Sequence, residues 1–377
     1  MALSRIDTTN MIEDVPQSKL DNNINFRNLI INGSMDLAQR GTSFSSQTAE
    51  HFVVDRFKMF VNGAIGTWTT SQSTTVPTGQ GFAKSLKMDC TTADASPAST
   101  DILSVQQRFE GQNLQYLKKG TSSAESLTAS FWVRSNKTGT YIAELEDRDN
   151  TRYVSQSYTI SSADTWEKKT VTFPGDTSGA FTNDNGESLR LNFWLGGGAT
   201  WTSGTLGTTW HTTSANRAVG QVNLADSTSN EWYITGVQLE AGTTASDFEF
   251  LPFDVNLQRC QRYYYVIGDK RTSGVFPILD QTSVGTGITQ YANQMQVSIS
   301  MKVNMRAVPS IDQASGTDYF RYYHGSNDNF NSFNNIFTNG QGQMVIGTTS
   351  DVSVSVGEVG VAYLVNANAY VALEAEL

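Results

Sequence analysis

Cysteine is nearly absent: Cys90 and Cys260 are the only two in 377 residues, far apart and without metal-ligating neighbours. No disulfide framework or cysteine-based zinc site can be built from them, and two free, buried thiols fit assembly in a reducing cytoplasm. Histidine is just as scarce. His51, His211 and His324 stand in no metal-ligand spacing, and neither GxSxG nor HExxH occurs. Charge is thin as well, at 16% of residues, with a formal net charge of −10 and no run of lysine or arginine. Such a surface suits neither nucleic acid nor an anionic membrane. The N-terminus has no basic-then-apolar leader, and no apolar run approaches a membrane span, so neither secretion nor membrane insertion is expected. There is no solenoid period, collagen triplet or heptad, and therefore no repeat that would build a long shaft or a parallel β-helix. Gly196-Gly197-Gly198 has no phosphate-binding continuation, and no nucleotide or other cofactor is implied.

What the chain does have is Ser, Thr, Asn and Gly, with 11% aromatics, a mixture that favours strands and turns. In "ESLTASFWVRS" (125–135), Leu127, Ala129, Phe131 and Val133 fall on one face, and in "SLRLNFWLG" (188–196) Leu189, Leu191, Phe193 and Leu195 do the same. "NLIIN" (28–32), "EHFVVDRFKMFV" (50–61), "WEKKTVTF" (166–173) and "NEWYITGVQLE" (230–240) read as further strands. Strands at this spacing, separated by small polar turns, predict a sandwich. "LPFDVNLQRCQRYYYVIG" (251–268) breaks the rhythm, with Asp254 as N-cap and Leu257, Cys260 and Tyr264 at helical spacing. After this joint, "NQMQVSISMKVNM" (293–305) alternates cleanly, as do "DVSVSV" (351–356) and "AYVALEAEL" (369–377), the last strand running to the C-terminus. The expectation is an all-β chain of two jelly-roll-like β-sandwiches: residues 1–24 a polar arm, 25–252 the first sandwich, 253–267 a linker helix and 268–377 the second sandwich.

The most motif-like stretch is "NGSMDLAQRGTSF" (32–44), followed eleven residues later by Asp55-Arg56-Phe57. Asn32-Gly33 reads as a turn, Met35 and Leu37 alternate inward, and Arg40 and Arg56 bracket the first strands with Asp36 and Asp55 as available ion partners. Together, "NLIINGSMDLAQRGTSF…VVDRF" resembles the opening of a carbohydrate-binding-module-like jelly-roll domain found in tail-fibre and appendage proteins of tailed bacteriophages. "YITGVQLEAGTTASDFEFLPFDVNLQRCQRYYY" resembles its last strand and exit helix, and "VNMRAVPSI" and "LEAEL" the C-terminal sandwich that often follows. The resemblance covers roughly residues 25–377, with Phe57 in place of the usual Trp and Ser34 where an acid is common. It implies a virion tail appendage, made in the host cytoplasm, commonly a homotrimer. Residues 1–24 would dock on another tail or adaptor protein, and a host-surface glycan or receptor would be the external partner.

Candidate contact residues come from the aromatics. Trp132 and Trp194 sit beside core-facing Phe131 and Phe193, and Trp194 shares its face with Arg190 and Asn192, the makings of a sugar platform. Trp201 and Trp210 lie in a Gly/Thr loop where burial is harder to arrange. "TDYFRYYHGSNDNFNSFNN" (317–335) has the Tyr/Asn/Ser composition of adaptable binding loops, and places Tyr322, Tyr323, His324, Asn327 and Asp328 in host contact while Phe320, Phe330 and Phe333 close a hairpin. Glu144 and Glu146 share a strand face at a spacing a glycosidase could use, though a solvated surface strand explains them too. Glu240 is a possible contributor to a structural calcium site, but no ligand-rich loop marks one and the metal stays unassigned. No catalytic residue is expected. The reading is a non-enzymatic appendage. Its alternatives are a capsid-surface or tail-junction protein without a receptor, and a glycan depolymerase.

Overall fold

The computed structural model describes residues 26–271, 283–338, 343–349 and 351–377, so the N-terminal arm expected at 1–24 lies outside the described residues. The first half contains β1 (Ser43–Gln47), β2 (His51–Val54), β3 (Phe57–Asn62), β4 (Thr67–Ser73), β5 (Ser85–Thr92) and β6 (Ile102–Glu110). It continues with β7 (Leu127–Ser135), β8 (Gly139–Asp147), β9 (Arg152–Ile160), β10 (Glu167–Phe173), β11 (Glu187–Gly197), the one-turn helix α1 (Ala199–Thr202) and β12 (Glu231–Ala241). Then come α2 (Phe253–Gln261), β13 (Tyr264–Asp269), β14 (Ser283–Tyr291), β15 (Gln294–Ser300), β16 (Ser310–Gln313) and β17 (Phe320–Tyr323). The last strands are β18 (Asn327–Phe330), β19 (Asn335–Thr338), β20 (Gln343–Thr348), β21 (Val359–Leu364) and β22 (Tyr370–Glu374).

Two six-stranded antiparallel sheets, β1-β4-β5-β12-β7-β10 and β2-β3-β6-β11-β8-β9, face each other. From β9 to β12 each successive strand lies in the opposite sheet, which is jelly-roll connectivity. The inward residues of β7 and β11 are the ones alternation assigns, and Phe131 meets Phe193 edge-to-face at 4.9 Å in the centre of the core. A three-stranded sheet, β13-β22-β16, and a seven-stranded one, β18-β17-β21-β14-β15-β20-β19, enclose a second core that includes Met295, Val297, Phe320 and Val371. Both cysteines are buried and free.

Several expectations are corrected. "NLIIN" forms no strand: side chains satisfy its backbone, with Gln107 Oε1 accepting from Ile31 N at 2.7 Å and Asn256 Oδ1 from Asn32 N at 3.1 Å. The run at 50–61 is a hairpin, β2 turning into β3 at Asp55-Arg56, where Arg56 sits at φ 70°. The helix ends at Gln261, Pro252 rather than Asp254 holds its N-cap position, and Tyr264 opens a strand. Residues 351–356 form no strand although Val352 and Val354 are buried, and β22 stops at Glu374.

The motif itself is a joint. Asn32 is buried, its side chain bonding Leu37 N, Leu37 O and Asp55 O. Gly33 has to be glycine because a Cβ there would lie 2.1 Å from Val237 O. Ser34 donates to Asp36, and Asp55 accepts from Gln39 N and Nε2, so neither acid pairs with an arginine as the sequence reading expected. Burial pushes the Asp55 carboxyl up to about 6 against the pull of Arg40 and the two Gln39 bonds. Arg40 instead donates to Glu374 at 3.1 Å and Glu376 at 3.3 Å, and its guanidinium lies 3.7 Å from the ring centre of Tyr264. Arg56 pairs with Glu376 and lies 3.4 Å from the ring centre of Tyr263. The two arginines thus hold the segment after β22 and the residues after α2 against the first sandwich.

Because Arg56 and Glu376 are both buried, Glu376→Gln leaves a guanidinium without its counter-charge. The expected loss is about 3–5 kcal/mol in urea unfolding, and the paired apolar change Arg56→Met with Glu376→Leu should recover part of it, Arg40 keeping Glu374 but losing Glu376.

Candidate functional site

The second sheet of the first sandwich turns one face to the core and the other outward, and period-2 alternation lines up the outward side chains in rungs across neighbouring strands. Lys58, Gln106, Asn192, Glu144 and Ser155 form one rung, while Arg108, Arg190, Glu146 and Tyr153 form the next. Phe60, Ser104 and Trp194 lie in register beside them. The stretch after β11 folds back over this face. It pairs with the edge strand β9 through Tyr153 and His211, which exchange both backbone bonds at 2.8 and 2.9 Å, and so covers that edge. Gly198 permits the sharp departure, since a Cβ there would meet Ala98 O at 1.9 Å. From this stretch Arg217 drops between the two glutamates.

Arg217 organises the centre. It donates to Glu144 through Nε at 2.6 Å and Nη2 at 3.1 Å, and through the same Nη2 to Glu146 at 3.0 Å. Its guanidinium lies 4.0 Å from the ring centre of Tyr153. Glu144 also accepts from Trp194 Nε1 at 2.7 Å, and Glu146 from Arg148 at 2.5 Å. Asn192 Nδ2 lies 3.3 Å from both carboxylates, which fixes its amide orientation and turns Oδ1 away as an acceptor with no protein partner. Burial raises the Glu144 pKa even against the pull of Arg217. Burial also works against ionised Glu146, but Arg217, Arg190 and Arg148 outweigh it and hold that carboxyl below its ordinary value. What remains open is a cleft of about 260 Å³ whose walls include Phe60, Gln106, Arg190, Asn192 and Arg148.

This arrangement corrects the reading of Glu144 and Glu146 as a solvated strand face, because both are buried and ion-paired. They do share one face, as alternation requires. Trp194 lies on the expected face with Arg190 and Asn192 but is buried under Trp201, 6.3 Å away, so it offers no ring face to a ligand. Trp201 is partly exposed and donates to Thr100 O at 3.2 Å. Trp210 packs against the core and donates to Pro174 O at 2.7 Å. Trp132, partly buried, pairs in register with Thr235 and Lys168 on the other sheet, on the opposite side of the sandwich. The four tryptophans therefore do not converge.

In the second sandwich, β17 and β18 form a hairpin, and Phe320, Phe330 and Phe333 are buried together. Tyr322 is 0% exposed and donates to Gly287 O at 3.0 Å, which corrects its assignment to host contact. His324 stacks on Tyr322 and reaches Glu358 at 3.2 Å, while Asp328 accepts from Ser353 N. Tyr323, 49% exposed, and Asn327 remain on the surface. Glu240 accepts from Gln238 Nε2, Ser246 N and Ser246 Oγ, and Arg27 lies 3.6 Å from it. Among the described residues there is no grouping of three metal-ligating side chains, and no helix is long and apolar enough to cross a membrane. The sequence reading missed Arg217, which has no local signal in its loop, and Gln106 and Phe60. The alternation of Leu103 and Val105 in "ILSVQQRFE" would have placed Gln106 on the outward face.

No protein-family model matches the chain, and no curated protein matches it. Solved structures similar to it include the enzymatically active domain of tailspike protein 4 from bacteriophage CBA120, at 13% identity and a TM-score of 0.32. That match covers 57% of this chain but only 21% of the tailspike chain. A family 11 carbohydrate-binding module of Clostridium thermocellum, in complex with a mixed-linked tetrasaccharide, matches at 11% identity and a TM-score of 0.26, covering 55% of this chain and 98% of the module. The N-terminal cellulose-binding domain of a Cellulomonas fimi β-1,4-glucanase matches at 12% identity and 0.25, covering 49% and 89%.

Arg217→Met should cost about 3–5 kcal/mol at pH 7 by leaving buried Glu144 without its counter-charge, Glu146 keeping Arg148 and Arg190. With the arginine gone, Glu144 loses the largest pull against burial and its folded pKa, already above the ordinary 4.5, rises further, while Glu146 keeps Arg190 and Arg148. A carboxyl raised in this way contributes stability that is complete below the unfolded pKa and is lost as pH rises through the folded one. The deficit against the parent protein, read from urea midpoints, should therefore shrink between pH 7 and pH 5.

Proposed function

We propose that this chain is a non-enzymatic appendage of a tailed-bacteriophage virion whose first sandwich binds a host-surface glycan in the cleft over β11. The observation that carries the reading is the cleft. The amides of Gln106 and Asn192 stand in register on β6 and β11 beside the Arg190 guanidinium, the amides held by hydrogen bonds and the guanidinium by ion pairs, with the partly exposed ring of Phe60 at the side. Side chains fixed before a ligand arrives lose little entropy on binding, and hydroxyl-rich ligands are recognised by such pre-set donors and acceptors. Hydrolysis is the weaker reading. A glycosidase sets its two carboxyls on either side of the scissile bond, whereas Glu144 and Glu146 converge on one nitrogen of Arg217. The virion setting is supported by the resemblance of residues 32–57 and of the closing segments to phage appendage domains. Residues 1–24 then attach the protein to an adaptor or tail protein, and the assembly is a homotrimer.

The test of the cleft is a binding assay against a panel of purified bacterial envelope polysaccharides. The parent protein should retain at least one and release no reducing ends, and Phe60→Ala should weaken that binding about tenfold or more without changing the melting temperature. If no polysaccharide is retained, the chain is a structural tail-junction or capsid-surface protein. Deleting residues 1–24 should leave glycan binding intact and abolish incorporation into particles, measured by quantifying the protein in purified virions.

A further inference from the structure

A second pocket, of about 380 Å³, lies where α2 meets the first sandwich, and it shares strand β6 with the cleft, Arg108 to Glu110 lining the pocket and Ser104 and Gln106 the cleft. Three guanidiniums line it: Arg108, Arg259 and Arg262. Arg262 is neutralised by Glu110, through bonds of 2.8 and 2.7 Å. Glu110 is then used up, since it also accepts from Tyr263 and from Gln112 Nε2. Arg108 donates to Leu377 O and Gln106 and lies 3.6 Å from Glu187. Arg259 is different. Among the described residues its one hydrogen bond is from Nη2 to Asn28 O, at 3.3 Å, buried Nη1 has no partner there, and no described carboxylate lies within ion-pair distance. Burial depresses its pKa even against the pull of Glu249. Such a charge is costly unless an anion completes it.

Around this cation the pocket has the other parts of a saccharide site. Tyr116 and Phe26, 49% and 60% exposed, offer ring faces at the wall, and the Gln112 and Asn113 amides stand beside them. The volume falls within the roughly 300–1,000 Å³ of ligand pockets. We propose that this pocket binds the carboxylate of an acidic sugar residue, with Arg259 as its counter-charge and Tyr116 stacking on the ring. Among the described residues no carboxylate lies within ion-pair distance of Arg259, Glu249 acting on it only from farther off, so the ligand's carboxylate would displace no ion pair. The pocket touches the β11 cleft through the Arg108–Gln106 bond, but its charge comes from Arg259, so the two sites are tested by separate variants.

The probe is digalacturonate, with digalactose as its neutral counterpart, titrated calorimetrically into the full chain. The acidic disaccharide should bind at least about tenfold tighter than the neutral one. Arg259→Gln should abolish that preference, while Phe60→Ala in the other cleft should leave it unchanged. Should Arg259→Gln fail to fold, Tyr116→Ala, whose side chain is half exposed, should weaken digalacturonate by a similar factor. Equal binding of the two sugars, or a preference that survives Arg259→Gln, overturns the proposal. A Glu13→Gln, Asp14→Asn double variant is the remaining arm. If it lowers the melting temperature as much as Arg259→Gln does and no sugar binds, the guanidinium is served by the chain's own N-terminal carboxylates and the sugar site does not exist.

Discussion

Arg40 and Arg56 leave the first sandwich, lie flat on the rings of Tyr264 and Tyr263, and end on Glu374 and Glu376. Around that contact everything else is arranged. Gln39 bonds Asp55 on one side and Tyr264 O on the other, tying the β2–β3 turn to the start of β13. Arg306 reaches the carbonyls of Ala375 and Glu376 from the second sandwich and Asn185 O from the first. A guanidinium suits this place because it gives up hydration more readily than an ammonium and presents a flat face to the ring and a donor edge to the carboxylate. The left-handed backbone at Arg56 is tolerated because these tertiary contacts over-determine it.

The same device appears at the cleft, where Arg217 lies over Tyr153 and between two glutamates, and again where Lys119 sits between Asp147 and Asp176 at 2.5 and 3.2 Å. A chain with few charges has placed many of them inside. Interior pairs of this kind add little net stability against well-packed apolar substitutes, but a wrong register would strand a bare charge, so they select one geometry. The donors and acceptors over β11 are accordingly positioned by the charged groups around them.

How much of this was legible beforehand follows from the range of the forces involved. Leu127 to Val133 and Leu189 to Leu195 announce their strands because a half-buried strand has period two, and the same parity puts Arg190, Asn192 and Trp194 together on the outer face. The turn at Asp55-Arg56 was hidden inside an apolar run, since no glycine, proline or asparagine marks it and the contacts that hold it come from far along the chain. Tyr322 misled for a different reason. Tyrosine, asparagine and serine make adaptable loops, but they also make a hairpin whose ring finds one buried carbonyl to bond. Arg217 carries no local signal at all, because what it does depends on where a long connection happens to land.

The Arg56–Glu376 pair joins residues 320 positions apart. A ribosome delivers the two arginines, the tyrosines they cover and the whole first jelly roll long before it delivers the glutamates. Until then the nascent sandwich exposes two cations and a seam of unpaired backbone where β22 will lie between β13 and β16. Closure of the waist thus waits on residues 370–376, and the interval before they emerge is when a neighbouring chain's acidic strand could be captured instead.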